Sequence, residues 1–279
     1  MSATAAIRPI RGVDDLRLVG RQIRYEQISF WLNPISAIFT IGFSVVFMIL
    51  LEASAGSSRS SNLANLKLIQ YYAGGFIAYG VMSTCFNQLA ISLVVRREMG
   101  LLKRLRLSPL PTWALFAAIL GNAVIITAIQ VVALLLIGRI GYHVVLPHNW
   151  AAFVVALVVG VVAFTAIGIA MSTVIPNQEA AGPLVSIVFF ILLFLSGLWY
   201  PIAAKSGLAQ IASVFPVRHM ILAMLAPFDP RKSGWAGNDL LIMAIWGVGA
   251  LLVASRRWAW APRAAQGSGL TRRRLGLFR

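Results

Sequence analysis

The sequence predicts an all-α, polytopic membrane protein with six transmembrane helices, and three observations carry that prediction. The 279 residues are 59% apolar and only 11% charged, against about half and about a quarter in soluble domains. Six apolar windows, 33–51, 70–95, 112–138, 150–174, 182–200 and 239–255, are each long enough to cross roughly 30 Å of hydrocarbon. All 24 Lys and Arg residues fall outside those windows. A formal charge of +16 would suggest nucleic acid in a soluble protein. Positives placed between hydrophobic spans are better explained by topology, so no nucleic-acid partner is expected.

The chain divides at composition changes into residues 1–32, a six-span domain at 33–255 and a basic tail at 256–279. Residues 1–10 are small and irregular, and flexibility is expected there. From Val13 the pattern turns helical. Leu16, Val19, Ile23 and Phe30 fall on one side, with Arg17, Arg21 and Arg24 opposite, which describes an amphipathic helix over 13–30 lying in the membrane interface. Asp14, Asp15 and Glu26 argue against an Arg-rich transit peptide, and the polar stretch ahead of the first span is too long for a cleavable signal.

Residues 52–67, rich in Ser, Gly and Asn, read as a polar loop, and Pro176–Glu179 as a tight connection between spans four and five. The stretch 206–225 is apolar enough for a seventh span but is interrupted by Pro216, Arg218 and His219. Charge decides between the readings. With six spans, seventeen positive residues lie on the side of both termini and seven on the other. A seventh span would move the seven-Arg tail to the poorer side, against the positive-inside bias. The expectation is therefore an outer re-entrant helical segment before the last span, with both termini cytoplasmic. Aromatic residues agree with it: Trp31, Trp113 and Trp258 mark the inner interface, and Tyr71, Trp150, Trp199 and Tyr200 the outer one.

The chemistry that is missing narrows the function. No G-x-x-x-x-G-K-[ST] occurs, so the chain has no P-loop of its own. The acidic residues Asp14, Asp15, Glu26, Glu52, Glu98, Glu179, Asp229 and Asp239 lie in loops or at span ends, and no Lys, Arg or His sits near a span centre. Ion-coupled transporters need intramembrane ionisable groups, and hydrolases need a nucleophile with a base or paired carboxylates. No catalytic residue, cofactor or metal ligand is expected. Cys85 is the only cysteine, and His143, His148 and His219 read as solvated loop residues without acidic neighbours at ligand spacing.

Neutral polar groups do occur in the spans. Asn33, Ser36, Thr40 and Ser44 step along one face of span one, with Ser83 and Asn87 on span two and Asn122 and Gln130 on span three. Two readings stay open: hydrogen bonding between helices, or a weakly polar translocation path for an amphipathic molecule. Gly160 and Gly168 fit close helix contact.

One strongly basic island remains, R-R-E-M-G-L-L-K-R-L-R-L-S-P-L-P from Arg96 to Pro111. Placed on one helix, Glu98 shares a stripe with Leu101, Leu102 and Leu105, while Lys103 and Arg104 diverge from it. Gly100 weakens that helix, and Ser108, Pro109 and Pro111 end it. Taken alone, the island is a juxtamembrane cationic loop. The series Glu98, Gly100, Lys103, Arg104, Arg106, Ser108, Pro109 and Leu110 resembles the loop between the second and third spans of type 2 ATP-binding-cassette (ABC) exporter permeases, daunorubicin-resistance-type exporters among them. Ser196, Gly197, Tyr200 and Pro201, with Phe215 and Pro216, resemble the same family's marker at the end of span five.

That resemblance implies a cytoplasmic coupling helix at 96–110, with Glu98, Gly100, Lys103, Arg104, Arg106, Ser108 and Pro109 coupling the chain to a separate ATPase subunit that binds ATP and Mg. It implies the permease subunit of an ATP-driven exporter in the plasma membrane of a bacterium, paired with a second copy or a related permease. Its cargo would be a hydrophobic or amphipathic drug or antibiotic, moved by alternating access. Rival expectations are a permease for lipids or lipid-linked glycans, a non-transporting membrane scaffold, and an ion-coupled antiporter.

Overall fold

The computed structural model describes residues 12–55, 68–107, 112–199, 202, 206–230 and 233–258. Expectations for residues 1–10, for the 52–67 loop beyond Ala55 and for the tail beyond Trp258 lie outside them. All regular structure among the described residues is helical. Helix α1 runs Gly12–Trp31. The first apolar window is helical from 34 to 55, about 33 Å at 1.5 Å per residue. It is not one regular helix: α2 (Pro34–Ala37) passes through a π segment (Ile38–Gly42) into α3 (Phe43–Ala55).

Five further helical stretches are long and apolar enough to cross a membrane among the described residues. The second span joins α4 (Leu68–Met82), a π segment (Ser83–Gln88) and α5 (Leu89–Glu98). A short α6 (Leu101–Leu107) leads to α7 (Thr112–Tyr142), α8 (Trp150–Val174) and α9 (Gln178–Ser196), and α12 (Gly237–Arg257) comes last. Helix starts follow from capping. Asn149 and Asn177 each accept an amide hydrogen bond at 2.9 Å, from Ala152 and Ala180, and so satisfy a donor that the first turn leaves unpaired.

The second span is the axis of the bundle, with spans one, three, four and five packed against it. Small residues permit this. A Cβ on Gly168 would lie 2.5 Å from the carbonyl oxygen of Cys85, and one on Gly80 would run into the Gln130 amide. The expectation of close contact at Gly160 and Gly168 holds, and α12 lies along α8 through Gly247, beside Ala163. At the far end of span five, Gly197 adopts φ +82°, which closes α9 at low steric cost. Tyr71 donates its hydroxyl to the Gly197 carbonyl, and the Ser196 hydroxyl accepts the Leu198 amide at 3.0 Å. The Ser196–Gly197 pair thus ends one span and ties it to another.

The stretch after span five folds back as expected. Helices α10 (Gly207–Ala212) and α11 (Pro216–Leu225) form a hairpin closed by Ala226–Phe228, with Pro216 at the first helical position. Met220 reaches Gly160, about 15 Å along α8 from Trp150, near the middle of a ~30 Å hydrocarbon layer. One expectation fails here. His219 is not a solvated loop residue: it is buried, with Nδ1 2.6 Å from Asp239 Oδ1 and Nε2 2.8 Å from the Ser213 carbonyl. Asp239 starts α12, so only the fold-back brings the two together.

Candidate functional site

The basic segment is not one helix. Helix α5 ends at Glu98, Gly100 takes φ +72° and donates to the Arg97 carbonyl at 3.0 Å, and α6 starts afresh at Leu101. A left-handed residue reorients the axis, so Glu98 leaves the leucine stripe on which a continuous helix would put it. Leu102 is buried against Leu93, Leu115 and Ile119, whereas Met99, Leu101, Lys103 and Arg104 are exposed. Ser108 and Pro109 lie outside the described residues, as does the side chain of Arg106.

Glu98, the one acid of the basic segment, is paired within the chain. It accepts from Arg97 Nε at 2.8 Å, while the Arg97 guanidinium donates to the carbonyls of Ser172 at 2.9 Å and Ile175 at 2.7 Å. Arg97 is buried. It satisfies carbonyls that the end of α8 leaves unpaired and neutralises the negative end of that helix dipole. The C-terminal end of span four is therefore tied to the residue next to Glu98.

Arg96 points the other way. Its two terminal nitrogens each donate to an oxygen of Glu26 at 2.6 Å, a bidentate pair with the Glu26 side chain 5% exposed and that of Arg96 19%. This joins α1 to the end of span two. Helix α1 is held against α7 as well: Ile23 sits where a side chain on Gly121 would be, and Gln27 donates to Asn122 Oδ1 at 2.9 Å. The packed face of α1 is the half-buried Ile23 with the buried Glu26 and Phe30, rather than a stripe running on to Leu16, which is 73% exposed. Sequence reasoning used Glu26 only to dismiss a transit peptide. Its spacing of three from Ile23 and four from Phe30 was the available sign that a carboxylate lay on the packed face.

Between α1, the second span and α7 is a vestibule of about 750 Å³, with the Glu26–Arg96 pair on its wall. The π segment of span two supplies Thr84, Asn87 and Gln88 to the lining, α7 supplies Asn122, and Asn33 adds an amide from the turn after α1. Thr84 Oγ1 and Asn87 Oδ1 are buried without a hydrogen-bond partner among the described residues. Single π turns inside α-helices recur at functional sites, because they reorient the side chains that follow.

The polar residues of the spans fall into two groups. Asn33, Asn87 and Asn122 line the vestibule. Thr40, Ser44 and Gln130 are buried and bond to other helices: Thr40 Oγ1 donates to Gln88 Oε1 at 3.1 Å, and Gln130 Nε2 donates to Ser44 Oγ at 2.6 Å and to the Thr40 carbonyl at 3.2 Å. The Ser36 side chain lies outside the described residues. No group of three or more His, Cys, Asp or Glu is placed to hold a metal ion among the described residues.

This arrangement offers binding and mechanical connection. The sequence profile of the ABC-2 type transporter family matches residues 18–228, from α1 to the end of the re-entrant hairpin. Two curated relatives, each named probable multidrug ABC transporter permease YbhR, come from Escherichia coli strain K12 and from Escherichia coli O157:H7. Each is 27% identical over 131 residues, 47% of this chain and 36% of the relative. The match spans about a third of their length.

Proposed function

The chain belongs to the ABC-2 type transporter family, and from that premise we propose that it is the permease subunit of an ATP-driven exporter for an amphipathic, drug-like molecule. The observation that carries this reading is the vestibule. Its walls mix Phe30, Ile91 and Ile126 with the amides of Asn33, Asn87 and Asn122, surfaces suited to a cargo with an apolar body and neutral polar groups. The relatives' name, multidrug permease, is consistent with such a cargo.

The same geometry supports a route for coupling. ATP and Mg would sit on a separate ATPase, docked on α6 near Lys103 and Arg104, which are exposed. A push on α6 would reach the vestibule through Arg96 and Glu26, and the end of span four through Glu98 and Arg97. Alternating access would then be a shift of packed helices between two arrangements. A second permease copy or a related one would complete the pathway. The seventeen-to-seven distribution of positive charge supports cytoplasmic termini.

Purification of the full chain from its host tests this reading, because a P-loop ATPase should accompany it; its absence from mild-detergent preparations would leave a scaffold. With that ATPase in vesicles, Glu98→Gln should preserve assembly while substrate-stimulated hydrolysis and efflux of an amphipathic dye fall together. Glu98→Lys should fall further, and Glu52→Gln should be near wild type. Unchanged coupling in Glu98→Lys would sink the assignment of this segment.

A further inference from the structure

A second concavity, of about 450 Å³, lies between α7, α8 and α12, and nothing in the transport reading uses it. Its walls include Phe116, Val162, Leu251, Ala254 and Trp258, with hydroxyls only from Thr165 and Ser255. It runs from Val162 to Ile169 on α8 and from Leu251 to Trp258 on α12, about 10 Å at 1.5 Å per residue. That places it in the leaflet where α12 ends, roughly 15 Å deep. The ring of Trp258 meets that of Phe116 edge to face at 5.2 Å and closes the groove at that end.

The surroundings of that end are cationic. Arg256 and Arg257 occupy the last turn of α12, both exposed. The negative end of the α8 dipole is neutralised by Arg97, and the acid beside it, Glu98, is engaged by the same arginine. Asp239, the acid of α12, begins that helix at the opposite end.

We propose that this groove binds one acyl chain of an anionic phospholipid from the leaflet in which α12 ends, with the lipid phosphate against Arg256 and Arg257. An apolar cleft open to the bilayer gains dispersion contacts only when something fills it, and an acyl chain is the filler at hand. The paired arginines select the headgroup, since surface cations attract anionic lipids and hardly distinguish zwitterionic ones from the bulk. Helix α12 is the least buried of the candidate spans. A lipid seated between it and α7 would staple it to the bundle.

Native mass spectrometry of the full chain in mild detergent, exposed to equal amounts of phosphatidylglycerol and phosphatidylcholine, tests the proposal. Wild type should retain phosphatidylglycerol in roughly thirtyfold preference, as two surface arginines would give. Arg256→Gln with Arg257→Gln should still carry a lipid but lose the preference. Val162→Trp, at a position 43% exposed, should fill the groove and lose the bound lipid. Leu251→Phe, at 49% exposed, serves the same purpose should the tryptophan variant misfold. Equal retention of the two lipids by wild type overturns the proposal, as does wild-type phosphatidylglycerol binding in both groove-filling variants. A bound mass equal to a second chain, lost on groove filling, would assign the groove to a copy interface and also overturn it.

Discussion

Removing one partner of the Glu26–Arg96 pair should destabilise the chain and uncouple it, and the size of the effect follows from the geometry. Two unit charges about 4 Å apart attract by roughly 4 kcal/mol at the effective dielectric of a partly buried site. Here the contacts are bidentate at 2.6 Å and Glu26 is almost fully enclosed. Desolvation offsets part of that attraction, so the net worth of the pair is smaller than the cost of breaking it. Arg96→Gln leaves a buried carboxylate whose remaining partner is Gln22 at 3.3 Å, and about 3 kcal/mol should be lost. Glu26→Gln should cost somewhat less, because Arg96 keeps some access to water.

A double-mutant cycle, read by reversible unfolding of the purified chain, should return a coupling energy of roughly 2 kcal/mol. The burial of the pair should make that energy nearly independent of salt. Transport vesicles supply the second readout: either single variant should hydrolyse ATP without matching efflux, and the charge swap Glu26→Arg with Arg96→Glu should recover part of it. A coupling energy below about 0.5 kcal/mol would mean that the two residues act independently. The route from α6 to the vestibule would then have to be abandoned.

Arg97→Met should cost roughly 3 to 5 kcal/mol, because it strips a buried cation from Glu98 and from two carbonyls of α8; Arg97→Lys should fall between, and thermal unfolding ranks the three. Gly168→Ala should lose about 1 to 3 kcal/mol, because its Cβ meets backbone at Cys85. Gly160→Ala meets the flexible end of Met220 and should be milder, so equal losses in unfolding midpoint would contradict the packing described. Thr40→Val removes a hydrogen bond to Gln88 between helices and should lower stability while leaving the cargo profile intact. Asn87→Leu, on the vestibule wall, should do the reverse, shifting dye selectivity in efflux assays at near-normal expression.

Class and the fold-back before the last span were legible in the chain alone. Each rests on a property summed over many residues: apolar length against bilayer thickness, and positive charge counted loop by loop. The amphipathic character of α1 and the family markers around Glu98 and Ser196 were legible too, since they are local patterns. Partnership was not. Glu98 shared a leucine stripe only as long as the segment was one helix; Gly100 turns the chain there, and Arg97 pairs with Glu98 while reaching across to α8. His219 looked solvated until the hairpin carried it to Asp239. Thr40 and Asn87, polar residues of the same standing in the sequence, parted company because α7 covers one with Gln130 while the π turn of span two leaves the other on an open wall. Composition and periodicity specify which side of a helix is polar and how long the helix is. Which polar groups meet is decided by pairs of residues as many as 70 to 90 positions apart, such as Glu26 with Arg96 and Gln130 with Thr40, and only helix packing sets those distances.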